Sequence, residues 1–149
     1  MPGDPSAPDA LSGYDLVREL GRGGMGVVYQ AYDRQRRHMM ALKTMQGVEP
    51  SALYRFKAEF RTLAGLAHPN LVTLYELVEE RGLWFFTMEL LDGVSFLTHV
   101  RFAALDQPAA TRPPRGLTPA QMGRLRDTLR QLAAGVHALH QAGKLHRDI

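Results

Sequence analysis

Three glycines spaced by two and three, Gly21, Gly23 and Gly26, precede a lysine inside an apolar run, Lys43, and a glutamate beside two phenylalanines, Glu59. A glycine cluster can mark an ordinary tight turn, or can let backbone amides approach phosphate oxygens because no side chain intervenes. Gly26 is followed by the alternating strand residues Val27 to Ala31, so no helix N-terminus is available to hold a pyrophosphate. That argues against a dinucleotide-binding turn. The absence of Gly-Lys-Ser or Gly-Lys-Thr removes a P-loop on the same residues. What remains is a hairpin whose tip, Arg22, Gly23, Gly24 and Met25, can cover phosphates with its amides, with Leu20 and Val28 flanking it as apolar contacts for a purine.

Lys43 interrupts Met40, Ala41 and Leu42, where an ammonium group is costly to bury without a partner. It is either a surface lysine on a strand edge or a cation held for a purpose. Glu59 bears on the choice. Helical spacing sets it beside the Phe56 and Phe60 stripe, so its carboxylate can turn toward a sheet, although a solvated helix charge has the same sequence.

The elements that must position these groups follow from periodicity. Residues 1–13, with Pro2, Pro5 and Pro8 among small and acidic residues, read as a disordered tail. Tyr14 to Leu20 and Val27 to Ala31 read as two strands around the glycine turn, and Met39 to Met45 as a third. A helix is expected from about Pro50 to near His68, with Leu53, Phe56, Phe60 and Leu63 on one side. Leu71 to Val78 and Leu83 to Met88 form a hairpin, giving five strands and one helix. Beyond Asp92 and Gly93 come a short helix from Ser95 to about Phe102, a proline-rich loop, and a long helix from Thr118 to Gln141. That last helix carries an N-cap threonine, Pro119, a capping-box Gln121 and an apolar stripe from Met122 to Leu139, and Gly143 is its stop.

Composition narrows the classes. The 149 residues carry 18 basic and 15 acidic side chains, scattered rather than blocked, so the formal charge of +3 predicts solubility and no nucleic-acid partner. No cysteine is present, which excludes disulfides and thiolate metal sites and fits a reducing compartment. No run approaches the ~18 apolar residues of a membrane span, so a cytoplasmic location without membrane contact is expected for this segment.

Near the end of the chain stand His146, Arg147 and Asp148, just after the long capped helix and C-terminal to every other group. The ordered set of glycines, Lys43, Glu59 and His146-Arg147-Asp148 resembles the protein kinase superfamily, and Gly23 to Tyr29 resembles the bacterial Hanks-type serine/threonine kinases. The resemblance implies an α+β fold: a complete small lobe of five antiparallel strands plus one helix, and the first helices of a large lobe, the chain being an N-terminal fragment that stops in the catalytic loop. It divides residues 14–149 into a small lobe at 14–88, a hinge at 89–93 and the start of the large lobe at 94–149.

The same resemblance implies roles. Leu20, Gly21, Arg22, Gly23, Gly24, Met25, Gly26, Val28 and Ala41 would surround ATP, with Met88 as gatekeeper and the backbone of Glu89 and Leu91 bonding the adenine edge. Met40-Ala41-Leu42-Lys43 stands for VAIK, with Lys43 and Glu59 holding the α and β phosphates. Asp148 would accept the substrate hydroxyl proton, and Arg147 would pair with a phosphorylated activation loop. No metal ligand is assigned, because those for Mg²⁺ would lie beyond Ile149. Phosphoryl transfer from ATP to a protein hydroxyl is the activity implied for the complete protein, the fragment itself being inactive. The alternative is a pseudokinase or a nucleotide-binding regulatory module that signals by contact.

Overall fold

A computed structural model describes residues 11–23, 26–45, 50–102 and 116–144, except for the side chains of residues 50–52, 55, 59 and 102. The chain separates into two units, one of residues 11–67 and 72–91, the other of residues 68–71 and 92–144.

In the first unit five strands, β1 (Tyr14–Gly23), β2 (Gly26–Asp33), β3 (His38–Met45), β4 (Leu74–Glu80) and β5 (Leu83–Met88), form one sheet in the order β1-β2-β3-β5-β4. Every pairing is antiparallel. Helix α1 (Pro50–Ala64) lies between β3 and β4 in sequence. Strand alternation puts Val27, Tyr29, Ala31, Met40, Leu42 and Phe85 on one face, all buried, where they form the core together with Leu11 and Tyr14. The Tyr14 ring meets Phe85 edge-on at 5.6 Å.

Leu11 to Gly13, which composition assigned to the tail, are tied into the fold. Leu11 is buried in the core, and Gly13 accepts a hydrogen bond from the Arg34 N–H at 2.9 Å. The physical reason is that one leucine placed three residues before Tyr14 reaches the end of the sheet, which an averaged composition cannot register. The other expected tail residues, 1–10, lie outside the described residues.

Three polar side chains, Thr44, Thr87 and Asp33, are buried here without penalty because each is bonded, Thr44 Oγ1 donating to the Val27 carbonyl at 3.2 Å. Thr87 Oγ1 accepts from the Glu76 N–H at 3.2 Å, where the β4–β5 register shifts. Asp33 ends β2 and accepts from the N–H groups of Gln35 and Arg36, both at 2.8 Å, and from Arg36 Nη1 at 3.0 Å. Arg36 also bonds Glu76 of β4, whose other oxygen accepts from Tyr14 Oη at 3.4 Å. Burial alone would raise the Asp33 carboxyl pKa, but its bonds to the backbone and guanidinium of Arg36 and to the Gln35 N–H leave it below the usual range. The Arg36 guanidinium likewise lowers that of Glu76.

The second unit contains α2 (Phe96–Phe102) and α3 (Pro119–Gln141). Thr118 and Gln121 make the expected capping box, with Thr118 Oγ1 accepting from the Gln121 N–H at 3.2 Å and Gln121 Oε1 from the Thr118 N–H at 2.8 Å. The same Gln121 donates through Nε2 to the Arg101 carbonyl at 3.1 Å, and Arg124 Nη2 donates to that of Val100 at 3.1 Å. One turn of α3 therefore satisfies the open C-terminal carbonyls of α2. β4 begins at Leu74, later than the expected Leu71, because residues 68–71 turn onto α3 instead. A Cβ on Gly135 would stand 2.9 Å from the Asn70 carbonyl oxygen, so glycine permits that approach. Of the apolar stripe on α3, Leu139 is buried, whereas Leu129 and Leu132 are exposed.

The Asp33 cluster predicts an acid limb to stability. A carboxyl held lower in the folded state contributes stability above its unfolded pKa of about 4 and loses it as pH falls through the folded value. Asp33→Asn should cost about 2 kcal/mol at pH 7, the size of a lost bond to a charged group. That cost should shrink toward pH 3, measured as the urea midpoint of each protein across the pH series. A cost independent of pH would count against the assignment.

Candidate functional site

The core occupies one face of the sheet, so the alternate residues must lie on the other. Val28 stands opposite Lys43, and Lys43 opposite Phe86; Gln30 stands opposite Ala41, and Ala41 opposite Met88. Directly opposed residues share a face, with Cβ atoms about 4.5–5.5 Å apart. Val28, Ala41, Lys43 and Met88 therefore form one patch across the three central strands, on the side away from the core. The residue pattern singled out Val28 and Lys43, the family resemblance added Ala41 and Met88, and the register brings the four onto one face.

Helix α1 covers the neighbouring part of this face. Phe56 and Phe60 each meet Phe86 at 5.8 Å between ring centroids, and Lys57 Nζ sits 3.9 Å over the Trp84 ring. Phe86 is thus both the strand partner of Lys43 and the docking point of α1. Its role was not foreseen in sequence, where it was one apolar residue among several. The backbone of Glu59 lies on α1 next to Phe60, and the Glu59 side chain is outside the described residues.

The glycine hairpin joins β1 to β2 at the same end. Its three described glycines serve different needs. Gly26 has φ +134°, and a Cβ there would lie 1.8 Å from the Thr44 carbonyl oxygen, so only glycine lets β2 start against β3. Thr44 Oγ1 fastens that contact by donating to the Val27 carbonyl at 3.2 Å. By contrast, a Cβ on Gly21 or Gly23 would meet no protein atom within 4 Å. These two leave open space beside the hairpin, which is what a bulky anion needs to reach backbone amides.

Arg22 pairs with Glu19 through Nη2–Oε2 at 2.7 Å and Nε–Oε1 at 3.3 Å, a two-point contact within β1. The register of β1 against β2 shifts between Glu19 and Gly21, so Leu20 is the bulged residue, and its side chain is exposed. Gly24 and Met25 lie outside the described residues.

At the far end of β5, the Glu89 N–H donates to the Thr73 carbonyl at 2.9 Å, and the Glu89 carboxylate accepts from the Thr73 N–H at 3.2 Å. With that N–H committed, the carbonyl is the group Glu89 can offer a ligand. Leu91 is exposed. His146, Arg147 and Asp148 lie outside the described residues. Among the described residues no three histidine, aspartate or glutamate side chains are grouped to hold a metal, and no helix is long and apolar enough to cross a membrane.

The arrangement offers an apolar patch with one ammonium group, in which Ala41 is buried and Val28, Lys43 and Met88 are half-buried, next to a hairpin with open space at Gly21 and Gly23, and its chemistry suits a flat apolar ring attached to a polyanion. The protein kinase domain family matches residues 14–149. Serine/threonine-protein kinase PknE of Mycobacterium bovis is 33% identical over 139 residues, covering 91% of this chain and 22% of its own length. Serine/threonine-protein kinase PknD of Mycobacterium tuberculosis is 32% identical over 148 residues, covering 97% of this chain and 20% of its own. The crystal structure of the Mycobacterium tuberculosis PknI kinase domain superposes with a TM-score of 0.70 at 26% identity, over 95% of this chain and 53% of that one. The chain thus spans about a fifth of these curated relatives and about half of a solved kinase domain. Its five-stranded antiparallel sheet with α1 is the small-lobe fold of those enzymes, and the chain belongs to the protein kinase family.

Proposed function

We propose that this chain is the nucleotide-binding part of a serine/threonine protein kinase that, in the complete protein, transfers the γ-phosphoryl group of ATP to a hydroxyl of a protein substrate. The observation that carries the reading is the shared face of Val28, Ala41, Lys43 and Met88 beside a hairpin with open space at Gly21 and Gly23. The chemistry of these groups fits ATP. Val28, Ala41 and Leu20 would sandwich the adenine, with Met88 at its back, while the Glu89 carbonyl and the Leu91 N–H would bond its edge. The amides around Arg22 to Met25 would cover the phosphates.

Lys43 would neutralise the α and β phosphates, and Glu59 would hold its ammonium group in place. Both lie on elements tied together through Phe86. Asp148 would orient the substrate hydroxyl and accept its proton, and Arg147 would pair with a phosphorylated loop. Mg²⁺ would supply charge neutralisation at the phosphates when bound; among the described residues no three histidine, aspartate or glutamate side chains are grouped to hold it, and this reading assigns its ligands to other residues of the complete protein. A cytoplasmic location follows from this reading, since ATP and reduced surroundings are found there.

Two substitutions separate the glycine roles. Gly26→Ala should destabilise the sheet by several kcal/mol, because its Cβ falls on a main-chain oxygen that cannot step aside. Gly23→Ala should leave the melting temperature nearly unchanged but weaken ATP binding about tenfold, read by calorimetry on the complete protein. Equal losses of stability in both would remove the distinction.

In the complete protein, Lys43→Met should lower phosphotransfer at least about a thousandfold at near-wild-type stability, since methionine keeps the stem and loses the charge. The 149 residues alone should transfer no label from ATP to a generic protein substrate, because a positioned base without the metal ligands leaves the γ-phosphate charge unstabilised. Wild-type turnover in Lys43→Met would overturn the nucleotide reading. ATP binding without turnover in the complete protein would shift it to a regulatory module.

A further inference from the structure

β1 and β4 are the two edges of the sheet, separated by three strands. The chain just before β1 nevertheless reaches both. Leu11 is 4% exposed and sits among Tyr14, Tyr29, Met40 and Phe85 in the core. The Ser12 N–H, one residue on, points at the far edge and donates to both carboxylate oxygens of Glu80, at 2.9 and 3.0 Å. The Gly13 carbonyl accepts from Arg34 N–H at 2.9 Å, in the turn after β2, and the Tyr14 N–H closes the bend on the Leu11 carbonyl at 3.2 Å. Gly13 has φ +90°, the left-handed conformation that lets the chain reverse into β1.

None of these anchors belongs to the strand ladders, so all can be withdrawn while the ladder hydrogen bonds stay intact. The residues matched by the kinase-domain family begin at Tyr14, immediately after this turn.

We propose that Leu11–Gly13 is a detachable strap that ties the β1 and β4 edges together at one end of the sheet and opens as a unit. The apolar anchor supplies holding strength, and the Glu80 carboxylate supplies direction, since among the described residues it accepts from the Ser12 N–H of this turn. Release would expose the Leu11 seat beside Tyr14 and Phe85 and free Glu80, leaving β2, β3 and β5 paired. A force or a partner acting on the chain before Leu11 would thereby reach the β4 edge without breaking the sheet.

Amide hydrogen exchange on the complete protein tests this, because the three strap bonds have their own reporters, the N–H groups of Ser12, Tyr14 and Arg34. In the wild type these three should share one protection level, below that of the β3 amides. Glu80→Ala leaves the core untouched and should speed all three by about tenfold, with β3 within about twofold of the wild type. Leu11→Ser should speed them further and add the last residues of β4. Unequal wild-type protection, unchanged Ser12 and Arg34 exchange in Glu80→Ala, or a uniform acceleration of all five strands in either variant would each overturn the strap.

Discussion

The period of two along β3 is the constraint on which the first unit depends. Met40, Leu42 and Thr44 are buried, so Ala41 and Lys43 must lie on the opposite face. A slip of one residue would drive the ammonium group into the core and bring Met40 and Leu42 out of it, an exchange that no neighbouring group could compensate. Register is therefore strongly specified in the centre of the sheet, where β3 pairs with both β2 and β5. The position of Lys43 opposite Val28 and Phe86 follows from burying its neighbours.

The sheet has its helix on the Lys43 face, where Phe86 takes up α1, and its core on the other. The core face is closed from its own ends. Tyr14 reaches from β1 to Glu76 of β4, Arg36 links Asp33 to the same glutamate, and Ser12 meets Glu80. Charge-assisted bonds of this kind are stronger than neutral ones where one partner is buried, as Asp33 is, and weak where both are exposed, as Arg34 and Asp15 are. The buried member therefore does most of the fastening, and its lowered pKa is the electrostatic sign of that role.

Glycine illustrates how one residue type answers to different causes. Gly26 is required by the backbone of β3, Gly135 by that of Asn70, and Gly21 and Gly23 by no protein atom. In the sequence, Gly21, Gly23 and Gly26 form a single motif. The division between a glycine that serves the fold and one that leaves room for a ligand exists only once the strands are laid side by side.

Local pattern alone determined the five strands, the three helices and the Thr118–Gln121 cap, because each depends on residues within one turn or one alternation of each other. The candidate groups were also legible, since a lysine in an apolar strand and glycines in a hairpin depart from what local packing would choose. What tertiary structure decided lies between distant residues: Leu11 in the core, Phe86 as the joint between Lys43 and α1, the bulge at Leu20, and β4 starting at Leu74. Each of these is set by a contact partner on another element, and no periodicity within a single segment carries that information.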